Sequence, residues 1–226
     1  MYRFIVVTLI SALNACGASM DYYYSPNFNS SLNRFQHPDG DPGNKKPSEL
    51  FAVMREFSKR KYDQSEQDGF PVEFSERDEI STFSESVMWI GQSTILLNHK
   101  GLTVLTDPQF SNRASPLFFG GPKRVTPTPF KIEDLPDIDV VLISHNHYDH
   151  LDRSTIKDLI KHQPSIKFMV PLGLAQTLHK WGAIDVTELD WWQAVNFQEV
   201  EIQPTPVKHW SSRSLFDRNK SLWAGW

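Results

Sequence analysis

The nearly continuous aliphatic run Ile138-Asp139-Val140-Val141-Leu142-Ile143 leads directly into Ser144-His145-Asn146-His147-Tyr148-Asp149-His150-Leu151-Asp152. No other stretch limits the fold as much. A run of this kind predicts a strand buried on both faces, as in a parallel sheet flanked by helices. Residues 153–162 then read as a helix with Ile156, Leu159 and Ile160 inward. The polar string therefore falls at the carboxyl end of a buried strand, where α/β folds gather their active sites. Burying three histidines and an aspartate there without partners costs several kcal/mol, and a bound cation would remove that cost. In extended backbone His145 and His147 project to the same side, so two imidazoles converge on one point. Asp149 and His150 fall where the chain turns toward the helix and face a neighbouring position. Neutral imidazole and carboxylate oxygen are ligands that zinc accepts.

The rest of the chain supports an α/β class. Strands are predicted over 87–91, 93–97 and 102–105, with a turn at 98–101, and again over 166–170, 186–189 and 199–204. A second helix is predicted over 174–181, closed by Gly182. A further helix is predicted over 47–60, where Leu50, Val53, Met54 and Phe57 recur at helical spacing. Residues 107–130 contain five prolines and the pair Gly120-Gly121, and they read as one long loop of the kind that carries function.

The N-terminus has its own pattern. A basic start, an apolar stretch over 4–13 too short to span a bilayer, and Leu13-Asn14-Ala15-Cys16 describe a secretory signal. Its end resembles the lipobox of bacterial lipoproteins, which implies lipidation of Cys16. Gly17 rather than Asp follows, which by resemblance points to an outer-membrane anchor. The expected organisation is a lipoprotein signal peptide over 1–15, a linker over 16–46, an N-terminal helix and extension over 47–85, and a main α/β domain over 86–226. Cys16 is the one cysteine, so no intrachain disulfide is available. With 23 Lys+Arg against 27 Asp+Glu and a net charge of -4, the chain lacks the basic excess that binds nucleic acid.

The spacing His145-x-His147-x-Asp149-His150 is similar to the signature of the metallo-β-lactamase superfamily. Trp89-Ile90-Gly91, Thr106-Asp107-Pro108, Arg113-Ala114-Ser115-Pro116, Gly121-Pro122-Lys123-Arg124, Leu189-Asp190-Trp191-Trp192 and His209-Trp210-Ser211-Ser212-Arg213 resemble the branch containing N-acylphosphatidylethanolamine-hydrolysing phospholipase D. The resemblance implies a metallo-β-lactamase-like αββα sandwich. It implies a first zinc on His145, His147 and His209, and a second served by Asp149 and His150. The activity implied is metal-activated hydroxide attack on a phospholipid-type phosphodiester, with Asp149 orienting the hydroxide. Asp107 resembles a position near the metals, although capping the turn before Pro108 is an equal reading. Arg113, Lys123 and Arg124 are candidates for meeting a phosphate.

Two departures from the family stand out. Gln92 occupies a position where the family commonly has His, and nothing in the metal shell is expected to depend on it. The family's bridging Asp and final His are expected beyond His209 and are not found before Trp226. The sandwich is thus expected to be truncated on its C-terminal side, with a second site short of ligands. Two other readings stay open: a zinc hydrolase of esters, lactones or amides, and a non-catalytic lipoprotein remnant.

Overall fold

The computed structural model describes residues 22, 24–40, 48, 51, 52, 55, 56, 85–117, 119–214 and 216–226. Two short strands, β1 (Phe28–Asn29) and β2 (Arg34–Phe35), pair antiparallel ahead of the main sheet. That sheet has six strands in chain order: β3 (Ser86–Gly91), β4 (Thr94–His99), β5 (Leu102–Thr106), β6 (Val140–Leu142), β7 (Lys167–Pro171) and β8 (Asp185–Leu189). β3 to β5 form an antiparallel meander, and β5 to β8 run parallel. Helix α1 (Arg153–His162) connects β6 to β7, and α2 (Ala175–Trp181) connects β7 to β8. A hairpin of β9 (Val195–Phe197) and β10 (Val200–Ile202) follows.

Alternation along the strands builds two cores. On one face Leu96, Leu105, Val141 and Phe168 align across four strands and pack against Ile156 and Leu159 of α1 and Leu178 of α2. On the other, Leu102, Val104, Val140, Leu142 and Met169 pack against Ile202, with Val195, Phe197 and Trp226 at the margin. Val140 and Val141 are both fully buried because each face of their strand is covered. The layering among the described residues is helix, sheet, then a second small sheet, in agreement with an α/β metallo-β-lactamase-like sandwich.

Local signals set the element ends. Asp152 caps α1 by accepting from the backbone N–H of Ser154 at 3.3 Å. Gly182 ends α2 in the left-handed region at φ 109°. Gly173, at φ 93°, lets the C-terminal segment pass close by: a Cβ there would lie 2.8 Å from Ser221 Cα. Past it, Leu222 N donates to Leu172 O and Ala224 N to Ser144 O. The C-terminal residues are thereby tied to the strand ends that carry the histidine string.

Some expectations differ from the structure. The single strand expected over 199–204 is one arm of a hairpin, turned at Gln198 with φ 53°. Within the 16–46 stretch expected as linker, Tyr22 and Phe35 are buried with Leu172, Trp191, Leu222 and Trp223. Aromatic burial, not composition, decides the state of that segment. Of the helix expected over 47–60, residues 48, 51, 52, 55 and 56 are helical and the others lie outside the described residues. Residues 1–15 and Cys16 also lie outside them. No helix among the described residues is long and apolar enough to cross a membrane.

Candidate metal centre

The site forms where β5 and β6 end side by side. Val104 to Thr106 pair in parallel with Val140 to Leu142, so Asp107 and the 143–152 loop leave the sheet together. His145 and His147 converge as their alternate spacing requires. His209 arrives after β10, from 64 residues further along the chain than His145. The three side chains meet through ring nitrogens: His145 Nε2 to His147 Nδ1 2.8 Å, His145 Nε2 to His209 Nε2 2.9 Å, and His147 Nδ1 to His209 Nε2 3.2 Å. Three nitrogens facing one another this closely cannot all be paired by shared protons. Zn–N bonds of about 2.0–2.1 Å in a tetrahedral site hold nitrogens roughly 3.3 Å apart, so the triangle fits a tetrahedral divalent cation with a small expansion. Among the described residues these three are the group whose ligand atoms all lie within 4.8 Å of one another.

A hydrogen-bond chain behind the triangle fixes the rings. Asp107, buried and in the left-handed region at φ 38°, accepts from Ser144 N at 2.6 Å, Ser144 Oγ at 2.6 Å and His150 Nδ1 at 2.8 Å. The Ser144 hydroxyl gives its proton to Asp107, so it accepts from His145 Nδ1 at 2.8 Å. That assigns the His145 proton to Nδ1 and leaves the Nε2 lone pair for the triangle, the usual way a partner sets a ligand tautomer. Asp107 is thus more than a turn cap. Its left-handed backbone, which Asp tolerates better than most residues, aims the carboxylate at the histidine loop.

Asp149 and His150 form a pair beside the triangle, with His150 Nε2 3.4 Å from Asp149 Oδ2 and the His150 ring 4.1 Å from that of His145. Gln92 Nε2 donates to Asp149 Oδ2 at 2.9 Å. This corrects the expectation that the site is indifferent to residue 92. Gln92 sits at φ 52° in the turn between β3 and β4, and that turn places its amide over the loop from 57 residues away. Asp149, Gln92, Trp89 and Lys123 line a cleft of about 500 Å³. Arg124 also lines it, but its guanidinium is engaged with the Gln109 carbonyl and side-chain oxygens. Arg113 donates to Gly121 O at 2.8 Å and lies outside this cleft.

The charge balance suits a cation. Burial, reinforced by neighbouring histidines, lowers His145 to about 2 and His147 to about 4, and burial lowers His209 too. All three are neutral donors at physiological pH. Burial also opposes charge on His150, but hydrogen bonds to Asp107 and Asp149 raise it to about 9. Asp149 is held below the ordinary carboxylate range: burial works against ionisation, and the hydrogen bond to His150, the charge on that ring, a backbone hydrogen bond and His147 together outweigh it.

One further residue joins the two halves of the site. Arg213 Nη1 donates to Asn146 O at 2.9 Å and Leu151 O at 2.5 Å, and Tyr148 Oη donates back to Arg213 O at 3.0 Å. Its guanidinium lies 4.0 Å from the Tyr148 ring centroid. The segment bearing His209 is thereby clamped to the loop bearing His145 and His147. Asp217 steadies the clamp by accepting from the Arg213 and Ser214 backbone at 3.0 and 2.7 Å.

These features define a member of the metallo-β-lactamase class. The family model described as "Beta-lactamase superfamily domain" matches residues 103–226, and the chain belongs to that family. Among individual relatives, it is similar to N-acyl-phosphatidylethanolamine-hydrolyzing phospholipase D 1 of Caenorhabditis elegans, with 41% identity over 61% of this chain and 41% of that protein. The mitochondrial N-acyl-phosphatidylethanolamine-hydrolyzing phospholipase D of Saccharomyces cerevisiae is 40% identical over 60% of this chain and 29% of that protein. An uncharacterized protein of Mycobacterium bovis is 44% identical over 62% of this chain and 38% of that protein. The chain spans about two fifths or less of the length of these relatives.

Proposed function

We propose that this chain carries the metal centre of a zinc-dependent hydrolase acting on a phospholipid-type phosphodiester. The observation that carries the reading is the triangle of three converging ring nitrogens, from buried His145 and half-buried His147 and His209, with the His145 tautomer set by Ser144 and Asp107. His145, His147 and His209 would hold zinc, and Asp149 would serve a second ion beside it together with His150, whose Nε2 would have to give up its proton to do so. Bound there, zinc supplies Lewis acidity and a water of lowered pKa. The side chains of this protein do the remainder. Asp149, ionised at neutral pH and braced by Gln92, orients the attacking water by accepting its hydrogen bond. Lys123 in the adjoining cleft offers a cation to the phosphodiester, and Trp89, 62% exposed, offers an apolar face to the groups attached to it. The activity for which the Caenorhabditis elegans and Saccharomyces cerevisiae relatives are named supports the phosphodiester over other hydrolysable bonds.

The test is elemental analysis together with turnover of a bis-aryl phosphodiester, an N-acyl-phosphatidylethanolamine and an aryl lactone. Zinc that binds tightly to the wild type and is lost in His147→Ala, with phosphodiester cleavage, is the expected result. Unchanged zinc content in His147→Ala refutes the ligand set, and lactone cleavage without phosphodiester cleavage refutes the substrate class. We further propose that Cys16 is lipidated and anchors the chain in a bacterial outer membrane facing the periplasm. This rests on the apolar run and Leu13-Asn14-Ala15-Cys16. Mass spectrometry finding an unmodified Cys16 in the mature protein rejects it.

A further inference from the structure

A second cavity, of about 770 Å³, borders the histidine loop through Tyr148 and Asp152, and none of the five proposed metal ligands lines it. Four cations do: Arg113 from the 107–130 loop, Arg153 and Lys157 from α1, and Arg213 from the clamp. The chain as a whole has a net charge of -4, so gathering four positive side chains around one hollow runs against its overall balance. Among the described residues Asp152 is the only carboxylate in the lining. It is buried and turned to other work, accepting from Ser111 N at 3.1 Å, Ser154 Oγ at 3.0 Å and Thr155 Oγ1 at 2.6 Å. Among the described residues Arg113, Arg153 and Lys157 make no ion pair with any carboxylate.

We propose that this cavity is a binding site for a phosphate-class oxyanion, separate from the metal centre. Arg153 and Lys157 are four residues apart on α1 and so project from one face of the helix, with Arg113 reaching in from the loop. Such an ion is negatively charged and presents mostly acceptor oxygens, which matches a lining whose available groups are charged donors. Ser111 and Ser154 do not compete for the role. Ser111 Oγ lies 2.6 Å from Ser154 Oγ, which in turn donates to Asp152, so the hydroxyl protons run toward the interior. Arg213 contributes charge from below, because its Nη1 is committed to the backbone of the histidine loop.

The experiment uses the full chain in two arms, calorimetric titration with inorganic phosphate and co-sedimentation with phosphatidylglycerol or phosphatidylcholine vesicles. Saturable binding of phosphate alone identifies a free anion as the ligand. Sedimentation with phosphatidylglycerol but not phosphatidylcholine identifies a lipid headgroup, and either outcome supports the site. The double variant Arg153→Glu/Lys157→Glu is expected to weaken binding at least tenfold. Lys161→Glu, on the same helix but outside the lining, is expected to leave it within twofold, with circular dichroism confirming the fold of both. Binding should survive in His147→Ala, which separates this site from the proposed zinc. Loss of binding in His147→Ala with retention in Arg153→Glu/Lys157→Glu overturns the proposal. An equal loss in Lys161→Glu, or no saturable binding in either arm, overturns it as well.

Discussion

Replacing Arg213 with Met keeps most of the side-chain volume and the packing on Tyr148, and removes the charged donor. In the wild type that donor satisfies two carbonyls of the histidine loop, Asn146 O and Leu151 O. Hydrogen bonds from a charged group contribute about 1.5–3 kcal/mol each, so roughly 3–6 kcal/mol is at stake before compensation. Part returns because the guanidinium is itself largely buried, and burial depresses its pKa ahead of the opposing influence of Tyr148, Asp152 and Asp217. Relieving that desolvation leaves an expected net loss of about 2–4 kcal/mol. For a domain of this size the thermal midpoint should fall by roughly 5–15 °C. Arg213→Lys retains a charged donor without the flat stack on Tyr148, and about half the loss is expected. Because the clamp joins the His209 segment to the loop of His145 and His147, zinc affinity should also fall, by about 10–100-fold as for other residues that orient ligands. The assays are thermal unfolding in chelator and competition with a chromogenic zinc chelator. A midpoint within 2 °C of wild type, with unchanged zinc affinity, would refute the clamp.

Three other outcomes follow from the same geometry. Asp107→Asn replaces one acceptor oxygen with a donor facing Ser144 or His150, so zinc affinity should fall about 10–100-fold with the secondary structure retained by circular dichroism. Leu159→Ala opens the fully buried contact between α1 and the sheet and should cost about 2–5 kcal/mol in denaturant unfolding. The chelated protein should be most stable near pH 6.5. Below that, the unfolded chain takes up protons that the depressed His145, His147 and His209 refuse, so stability falls as pH drops toward 4. Above it, His150 keeps its proton up to about 9 while its unfolded counterpart has lost it, so stability declines as pH rises. A melting temperature climbing steadily from pH 5 to 9 would contradict this balance.

Where periodicity and local geometry coincide, the sequence predicts the fold closely. α1 occupies 153–162 as predicted, because its apolar spacing and its Asp152 cap agree. His145 and His147 converge because alternation in extended backbone is a local property. His209 was legible only through family resemblance, since no local pattern links it to residues 64 positions earlier. The orienting network was hidden for a different reason. It depends on the left-handed turns at Gln92 and Asp107 and on the parallel register of β5 with β6, none of which leaves a periodic trace. β1 and β2 are not legible in the sequence because two-residue strands in a Ser- and Asn-rich stretch have no alternation.

The distance in sequence between His145 and His209 has a consequence for unfolding. A cation gripped by both closes a loop of 64 residues, as a disulfide between them would. In a chain-entropy view, a cross-link over that span restricts the unfolded chain by about 4 kcal/mol. Unlike a disulfide, this cross-link opens whenever acid or a chelator takes the ion. Resistance to heat or protease would then track metal supply, and a metal-starved cell would hold a pool of this protein that is easier to degrade.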